Sequence, residues 1–348
     1  MALMQEPYSY ELPPDRIAQR PVYPYDRARL LTASRSSGAV AEGTFRDLPG
    51  EVRAGDVFVF NDTRVIPARL FGRLAATGGG VEILLVTAET PLRWRVIGRP
   101  LRKFRPGVRL SFPGGLLGEV IERIGEHEAI VHFSGAADRD IPGLIRQAGV
   151  MPIPPYIRGG RADEADERDY QTIFAREEGS VAAPTASLHF TPELMAALAA
   201  AGCEMETVTL HVGAPSFTAL WAEGESAGAL TPPGAERYGH DPELLARLRA
   251  VRTAGRRVVA VGTTVVRALE SMARDEGAAG WRETSLFISP GFTFEVVDAL
   301  VTNFHLPRST HLLLVEAFAG RALLEASYAW ALEHDFRFFS YGDGMLIT

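Results

Sequence analysis

The chain has 348 residues, 46% of them hydrophobic and 23% charged, with a net charge of −7. This is globular composition, long enough for two domains or for one large domain with an insertion; the negative balance rules out a molecule that attracts polyanions as a whole, so any nucleic-acid site must be a local patch. A single cysteine, Cys203, excludes an internal disulfide framework and a cysteine-rich metal site.

The opening MALMQEPYSYELPP lacks the basic-then-apolar pattern of a signal peptide. Apolar runs such as HLLLVEAFAG are too short to span a bilayer. A cytoplasmic enzyme without membrane contact is expected.

The first clear element is Val57 to Phe60, a continuous apolar run of the kind buried on both faces of a sheet. The polar group Asn61, Asp62, Thr63 and Arg64 follows at once. From Ile66 to Val150 the texture changes to short alternating segments broken by Gly and Pro: VEILLVT, RWRVIG, VRLSF, GEVIERI and EAIVHFS. SFPGGLLGEV and RIGEHEAIV read as hairpin turns. We expect residues 66–150 to form a small inserted antiparallel β-barrel, closed by the stiff crossing MPIPPYIRGG.

The acidic run from Asp163 to Glu178 reads as a solvated, mobile loop. Beyond it, Thr191, Pro192 and Glu193 supply an N-cap, an N1 proline and a first-turn acid, and Gly202 marks the helix stop. ETVTLHVG reads as a strand. Asp241, Pro242 and Glu243 open a helix that Gly255 ends. RRVVAVG is a strand, TVVRALESMARDEG a helix, TSLFIS a strand, Ser309 to His334 helical, and FRFFSYG a last strand. This alternation predicts an α/β fold, a mainly parallel sheet with flanking helices, built from residues 1–65 and 151–348.

Polar residues fall where these predicted strands end or helices begin: Asn61 to Arg64, Thr185 to His189, His211 and Gly213, Thr263 and Thr264, Asn303 and His305, Tyr341 and Asp343. Ligands of open α/β sheets bind beyond the carboxyl ends of strands, so these segments are expected to converge on one rim. Gly262 permits a tight turn, and Thr263, Thr264 and Arg267 at the helix start suit an anion; a well-capped structural helix is the plainer alternative. His189, His211 and His305 are the acid–base candidates, since imidazole titrates near neutrality, although each taken alone better fits a satisfied core or strand-end histidine. Their spacing is not that of metal ligands, and no metal is expected. PLRWRVIGRPLRKFRPGVRL holds Arg102, the only lysine, Lys103, and Arg105 among further arginines, with no acid and with Trp94 and Phe104 interleaved. In an acidic chain that window suits phosphate binding, or else a solvated face.

YELPPDRIAQRP, VFNDTRVIPARLFG, RPLRKFRPG, DYQTIFAREEGSVAAPTASLHFT, TLHVG, AVGTTVVRALES, PGFTFEVVDALVTNFHLPRST and FFSYGDGMLI span nearly the whole chain. In these stretches the chain resembles the S-adenosylmethionine:tRNA ribosyltransferase-isomerases of queuosine biosynthesis. The resemblance implies a β-barrel inserted in an α/β domain. It also implies transfer of the ribosyl part of S-adenosylmethionine to the aminomethyl group of a 7-deazaguanine at a tRNA wobble position. Epoxyqueuosine would form, with adenine and methionine released, and a monomer is compatible with this.

On that reading His189, His211 and His305 handle protons. Thr185, Gly213, Thr263, Thr264, Arg267, Asn303, Tyr341 and Asp343 hold the ribosyl donor, and Asn61, Asp62, Arg64, Arg102, Lys103 and Arg105 hold the tRNA. The chain departs from the family where TLHVG is followed by Ala214 and Pro215 rather than Gly-Thr-Phe. It also lacks the histidines expected before Glu236 and Tyr238. A diverged enzyme with a small-molecule acceptor and a non-catalytic RNA-binding protein therefore stay open.

Overall fold

The computed structural model describes residues 8–124, 128–135, 140–213, 234–278 and 280–348. Its larger sheet runs in the order Arg282–Thr284, Glu236–Gly239, Glu204–Leu210, Val57–Asn61, Val258–Val261, Ala299–Asn303, Gly344–Ile347, Arg29–Ala33 and Val40–Thr44. The pairings from Glu204–Leu210 across to Ala299–Asn303 are parallel, as is Arg29–Ala33 with Gly344–Ile347. Antiparallel pairings lie at both edges and, inside the sheet, between Ala299–Asn303 and Gly344–Ile347, so the sheet is mixed.

The central strands are the most apolar because both faces are covered. Every residue of Val57–Asn61, Val258–Val261 and Ala299–Asn303 is buried. Val57 and Val59 pack into one core and Phe58 and Phe60 into the other, as the two-residue period of a strand requires. The helix Pro192–Ala200 starts as expected, with Thr191 Oγ1 accepting the Leu194 amide at 3.2 Å.

The smaller sheet closes on itself. Arg69–Leu74, Gly80–Thr90, Arg93–Arg99, Glu128–Ser134, Leu117–Ile124 and Arg109–Ser111 follow one another, and the last pairs back with the first. Closure removes the free edges of a short-stranded antiparallel sheet. Two glycines let aromatic rings fill it: a Cβ at Gly72 or Gly98 would lie 2.6 Å from the ring of Phe112 or Phe104. The tip of RIGEHEAIV, residues 125–127, lies outside the described residues.

Several expectations are corrected. The final strand is Gly344–Ile347, not FRFFSYG. The Asp343 carboxylate accepts the backbone amides of Arg29 and Arg337, at 3.0 and 2.7 Å, and holds the preceding segment as a loop. TSLFIS contributes only Thr284, at the end of an antiparallel edge strand. The stretch from Ser309 to His334 breaks at Gly320, where φ is 81°, into helices Thr310–Ala319 and Arg321–Glu333.

The acidic run is not a mobile loop. Glu164–Asp169 is a helix whose Asp166 and Asp169 are buried. Asp166 accepts from Arg158 and from the Tyr341 hydroxyl at 3.0 Å, and Asp169 accepts from Tyr23 and from Tyr25 at 2.9 Å. These acids are spent on donors of the chain itself rather than on water. Replacing Asp166 with Ala would strand Arg158 and Tyr341, so the folded chain should lose roughly 3 kcal/mol in urea unfolding. A loss under about 0.5 kcal/mol would be what a solvated surface acid gives.

Candidate active site

Val258–Val261 passes into the helix Thr263–Arg274 through Gly262, whose φ of 100° an L side chain rarely adopts. Beside it, the chain after Glu177–Ser180 is pinned to the neighbouring strand end. Ser180 Oγ donates to the Ala182 carbonyl at 2.7 Å and accepts the Val212 amide at 3.0 Å. Small residues then carry it into the turn Thr185–His189. These segments and the end of Ala299–Asn303 enclose a cleft at the carboxyl ends of the parallel strands, lined among others by Thr185, Thr263, Thr264, Asn303 and His305.

Asn303 is 2% exposed at the cleft wall. Its Nδ2 donates to the Phe339 carbonyl at 2.9 Å and lies 3.3 Å from His189 Nε2. A carbonyl can only accept, so this contact fixes which way the amide points. Asn303 Oδ1 is left buried with no donor among the described residues, and so is Ser309 Oγ on the same cleft. Buried polar atoms are ordinarily paired, and two orphans in one cleft suit a polar ligand.

His189 itself does not line the cleft. Its ring stacks on Phe45 at 4.2 Å, behind Asn303. Burial, reinforced by the charge of Arg337, pushes its pKa down to about 3.

His305 does line the cleft. Its backbone is clamped by two tyrosines: the amide donates to Tyr328 Oη at 2.8 Å, and the Tyr10 hydroxyl donates to its carbonyl. Its Nε2 lies 2.9 Å from Thr302 Oγ1. The ring stacks at 4.9 Å on His311, a cleft residue that the sequence reading missed. Burial drives His305 well below its ordinary pKa, with His311 adding to the effect. Burial, then the charge of Arg267, brings His311 down to about 4. Both are neutral imidazoles at pH 7, able to accept a proton or a hydrogen bond. The missed signal was His311 two residues after the capping position Ser309. Tyr156 and Phe339, stacked at 4.7 Å on the same cleft, were missed as well.

The other expected residues separate. His211 and Gly213 line a second cleft, between the barrel and the larger sheet; Val212 lines both. His211 Nδ1 lies 2.7 Å from Thr63 Oγ1, its ring stacks on Trp281 at 4.8 Å, and burial, then Arg237, lowers its pKa to about 4. Asn61 is buried beneath the junction, its Nδ2 3.4 Å from Thr264 Oγ1. Asp62 is buried against Arg176 at 2.7 Å and Thr209 at 2.6 Å. Arg64 is exposed and donates to the Ala175 carbonyl at 3.3 Å.

Three members of the expected donor site are committed elsewhere. Arg267 pairs with the buried Glu236 and donates to the Leu286 carbonyl at 3.1 Å, so its guanidinium is not free for an anion. Tyr341 serves Asp166, and Asp343 serves the backbone of Arg29 and Arg337.

On the barrel, Arg102 and Arg105 are exposed and Lys103 Nζ donates to the Gly80 carbonyl at 3.1 Å. Part of the basic window is neutralised by acids on adjacent strands: Arg93 pairs with Glu89 at 2.8 Å and Arg95 with Glu128 at 3.7 Å. Phe104 is buried in the barrel, not offered to a base. The departures at Ala214 and Pro215, and the stretch before Glu236 through residue 233, lie outside the described residues. Among the described residues no group of His, Cys, Asp or Glu is arranged to hold a metal ion.

The profile of the family described as queuosine biosynthesis protein matches residues 5–347. The chain belongs to that family. Two similar proteins, from Sphingopyxis alaskensis and Symbiobacterium thermophilum, carry the name S-adenosylmethionine:tRNA ribosyltransferase-isomerase. Each is 46% identical, over 345 and 347 residues respectively. Each alignment covers 98% of this chain, and 95% and 98% of the relative. A crystal structure named S-adenosylmethionine tRNA ribosyltransferase, from Thermotoga maritima, superposes with a TM-score of 0.56 at 35% identity. It covers 99% of this chain and 100% of its own.

The family member's buried imidazoles carry a pH signature. A histidine whose folded pKa is depressed binds its proton more readily when unfolded. Stability is therefore full above the unfolded value of 6.5 and falls as pH drops toward the folded values of about 3 for His189 and about 4 for His211 and His311. Between pH 8 and pH 5 each should cost roughly 2 kcal/mol. Urea unfolding at the two pH values measures this; an unchanged midpoint would mean the rings are already charged in the folded chain.

Proposed function

We propose that the cleft at the parallel-strand rim binds S-adenosylmethionine and that the chain is a tRNA ribosyltransferase-isomerase of queuosine biosynthesis. It transfers and isomerises the ribosyl group onto the aminomethyl group of a 7-deazaguanine in tRNA. Epoxyqueuosine forms, and adenine and methionine leave. The observation that carries this reading is the full-length match to relatives of that name, and the cleft chemistry agrees with it.

S-adenosylmethionine supplies a sulfonium, which acidifies the adjacent C–H bonds, and the ribosyl group. The chain's residues suit such a ligand. The orphaned Asn303 Oδ1 would accept from the exocyclic amine of adenine, beside the stacked rings of Tyr156 and Phe339. The helix start at Thr263 and Thr264 would hold the methionine carboxylate, as the positive end of the helix dipole favours. Thr185 lines the same cleft.

Neutral His305 and His311 are placed to accept and return protons in surroundings that exclude water. His189 acts as a positioning residue, through Asn303. His211 and Gly213 belong to the acceptor side.

The tRNA arm would lie along the barrel at Arg102, Lys103 and Arg105, with Asn61, Asp62 and Arg64 nearer the junction. We assign residues 66–150 to this RNA-holding domain and 1–65 with 151–348 to the catalytic one. The modified nucleotide is the wobble position, and the reaction is cytoplasmic. One chain carries both clefts, which suits a monomer. Among the described residues no helix is long and apolar enough to cross a membrane.

Incubation with S-adenosylmethionine and precursor-bearing tRNA should release adenine only when both are present. Release driven by a small amine instead would make this an enzyme with a different acceptor, and salt-sensitive tRNA binding without release would make it a binding protein. Changing Arg102, Lys103 and Arg105 together to Glu should weaken tRNA binding and lower the steepness of its salt dependence by on the order of 3. An unaltered slope would place the RNA surface elsewhere.

A further inference from the structure

The second cleft lies between barrel and sheet, and it is the roomier one: about 340 Å³ against about 160 Å³ for the donor cleft. Its barrel wall includes Trp94, whose Nε1 is buried and finds no acceptor among the described residues. Its opposite wall includes His211, Glu236 and two further carboxylates, Glu178 and Glu283.

Glu236 is spent on Arg267 and the Gly213 amide. Glu178 and Glu283 have no ion pair among the described residues, although both are exposed. Two cations also line the cleft. Arg146 pairs with Asp140 at 3.8 Å, and Arg237 lies over the Trp281 ring at 5.2 Å. Arg237 has no acidic partner among the described residues, so the two uncommitted carboxylates outnumber the one uncommitted cation.

The position of the cleft matters as much as its lining. Val212 is common to both clefts, and the segment from Glu178 to Ala186 runs from one to the other. The Val181 amide donates to the Val212 carbonyl at 3.1 Å and holds this partition together. Gly179, at φ 148°, keeps the partition thin, because a Cβ there would lie 2.7 Å from His211 Nε2. Val212 is thus the residue across which groups seated in the two clefts would face each other.

We propose that this second cleft receives the acceptor nucleobase. The Trp94 indole N–H would donate to an acceptor on the base, and Glu178, supported by Glu283, would meet its cationic aminomethyl arm. This rests on the ribosyl-transfer reading. A plain guanine lacks the cationic arm, so the carboxylates also supply the selectivity for the precursor.

The test compares two anticodon stem-loops, one with the aminomethyl-deazaguanine and one with guanine at the same position, in equilibrium binding to the full chain. Wild type should bind the aminomethyl stem-loop about tenfold more tightly, as one charge-assisted contact allows. Glu178→Gln with Glu283→Gln should bring that ratio near one while leaving affinity for the guanine stem-loop unchanged. Trp94→Phe should weaken both stem-loops.

A wild type without preference, or a ratio that survives the double substitution, overturns the assignment. Adenine release by wild type separates the two failures: an active enzyme with an unmoved ratio refutes only the acceptor cleft, and an inactive one refutes the reaction.

Discussion

Asn61 holds the point where the central strands come apart. It ends Val57–Asn61, and its backbone is in register with Val208 of the neighbouring strand. Its side chain then continues the pairing: Oδ1 accepts the amides of Leu210 and Thr63 at 3.0 and 3.1 Å, and Nδ2 donates to the Leu210 carbonyl at 2.9 Å. Those polar groups would otherwise be buried without partners, at a cost comparable to a lost hydrogen bond each. From this tie Thr63 departs toward His211, Leu210 leads to Val212, and Thr264 stands above. Both clefts are organised around one amide that never needs to touch a ligand.

The same economy appears in the cleft at the parallel-strand rim. His305 and His311 in the cleft, and His189 behind Asn303, are kept neutral by burial rather than by acidic partners. A sulfonium ligand would bring the positive charge itself. Arg267, whose charge reaches His311, is matched by Glu236, whose own carboxyl burial pushes up against the pull of that arginine. Within the second cleft, Glu236 also accepts the Gly213 amide at 3.0 Å.

Charge is divided by region. Acids near Asp166 and Asp169 are consumed internally by Arg158 and by tyrosine hydroxyls, although by sequence they looked like a solvated stretch. Several barrel arginines are met by acids on adjacent strands, and Arg102 and Arg105 stay exposed. A net charge of −7 therefore coexists with a basic surface of limited size.

Much of this was legible in the residues alone. The apolar run Val57 to Phe60, the N-cap Thr191, the tight turn at Gly262 and the alternating strands of the barrel are local matters, governed by strand period, capping and backbone freedom. The rim itself was legible from where polar residues follow strands, and Thr185, Thr263, Thr264, Asn303 and His305 do meet there. Side-chain commitment was not legible, because it depends on partners far along the chain: Arg267 on Glu236, Tyr341 on Asp166, Asn303 on Phe339 and His189. His311 entered the site only because the chain turns after His305 and stacks the two rings. Periodicity decides which face of an element is buried; only packing decides which buried polar atom is left without a partner.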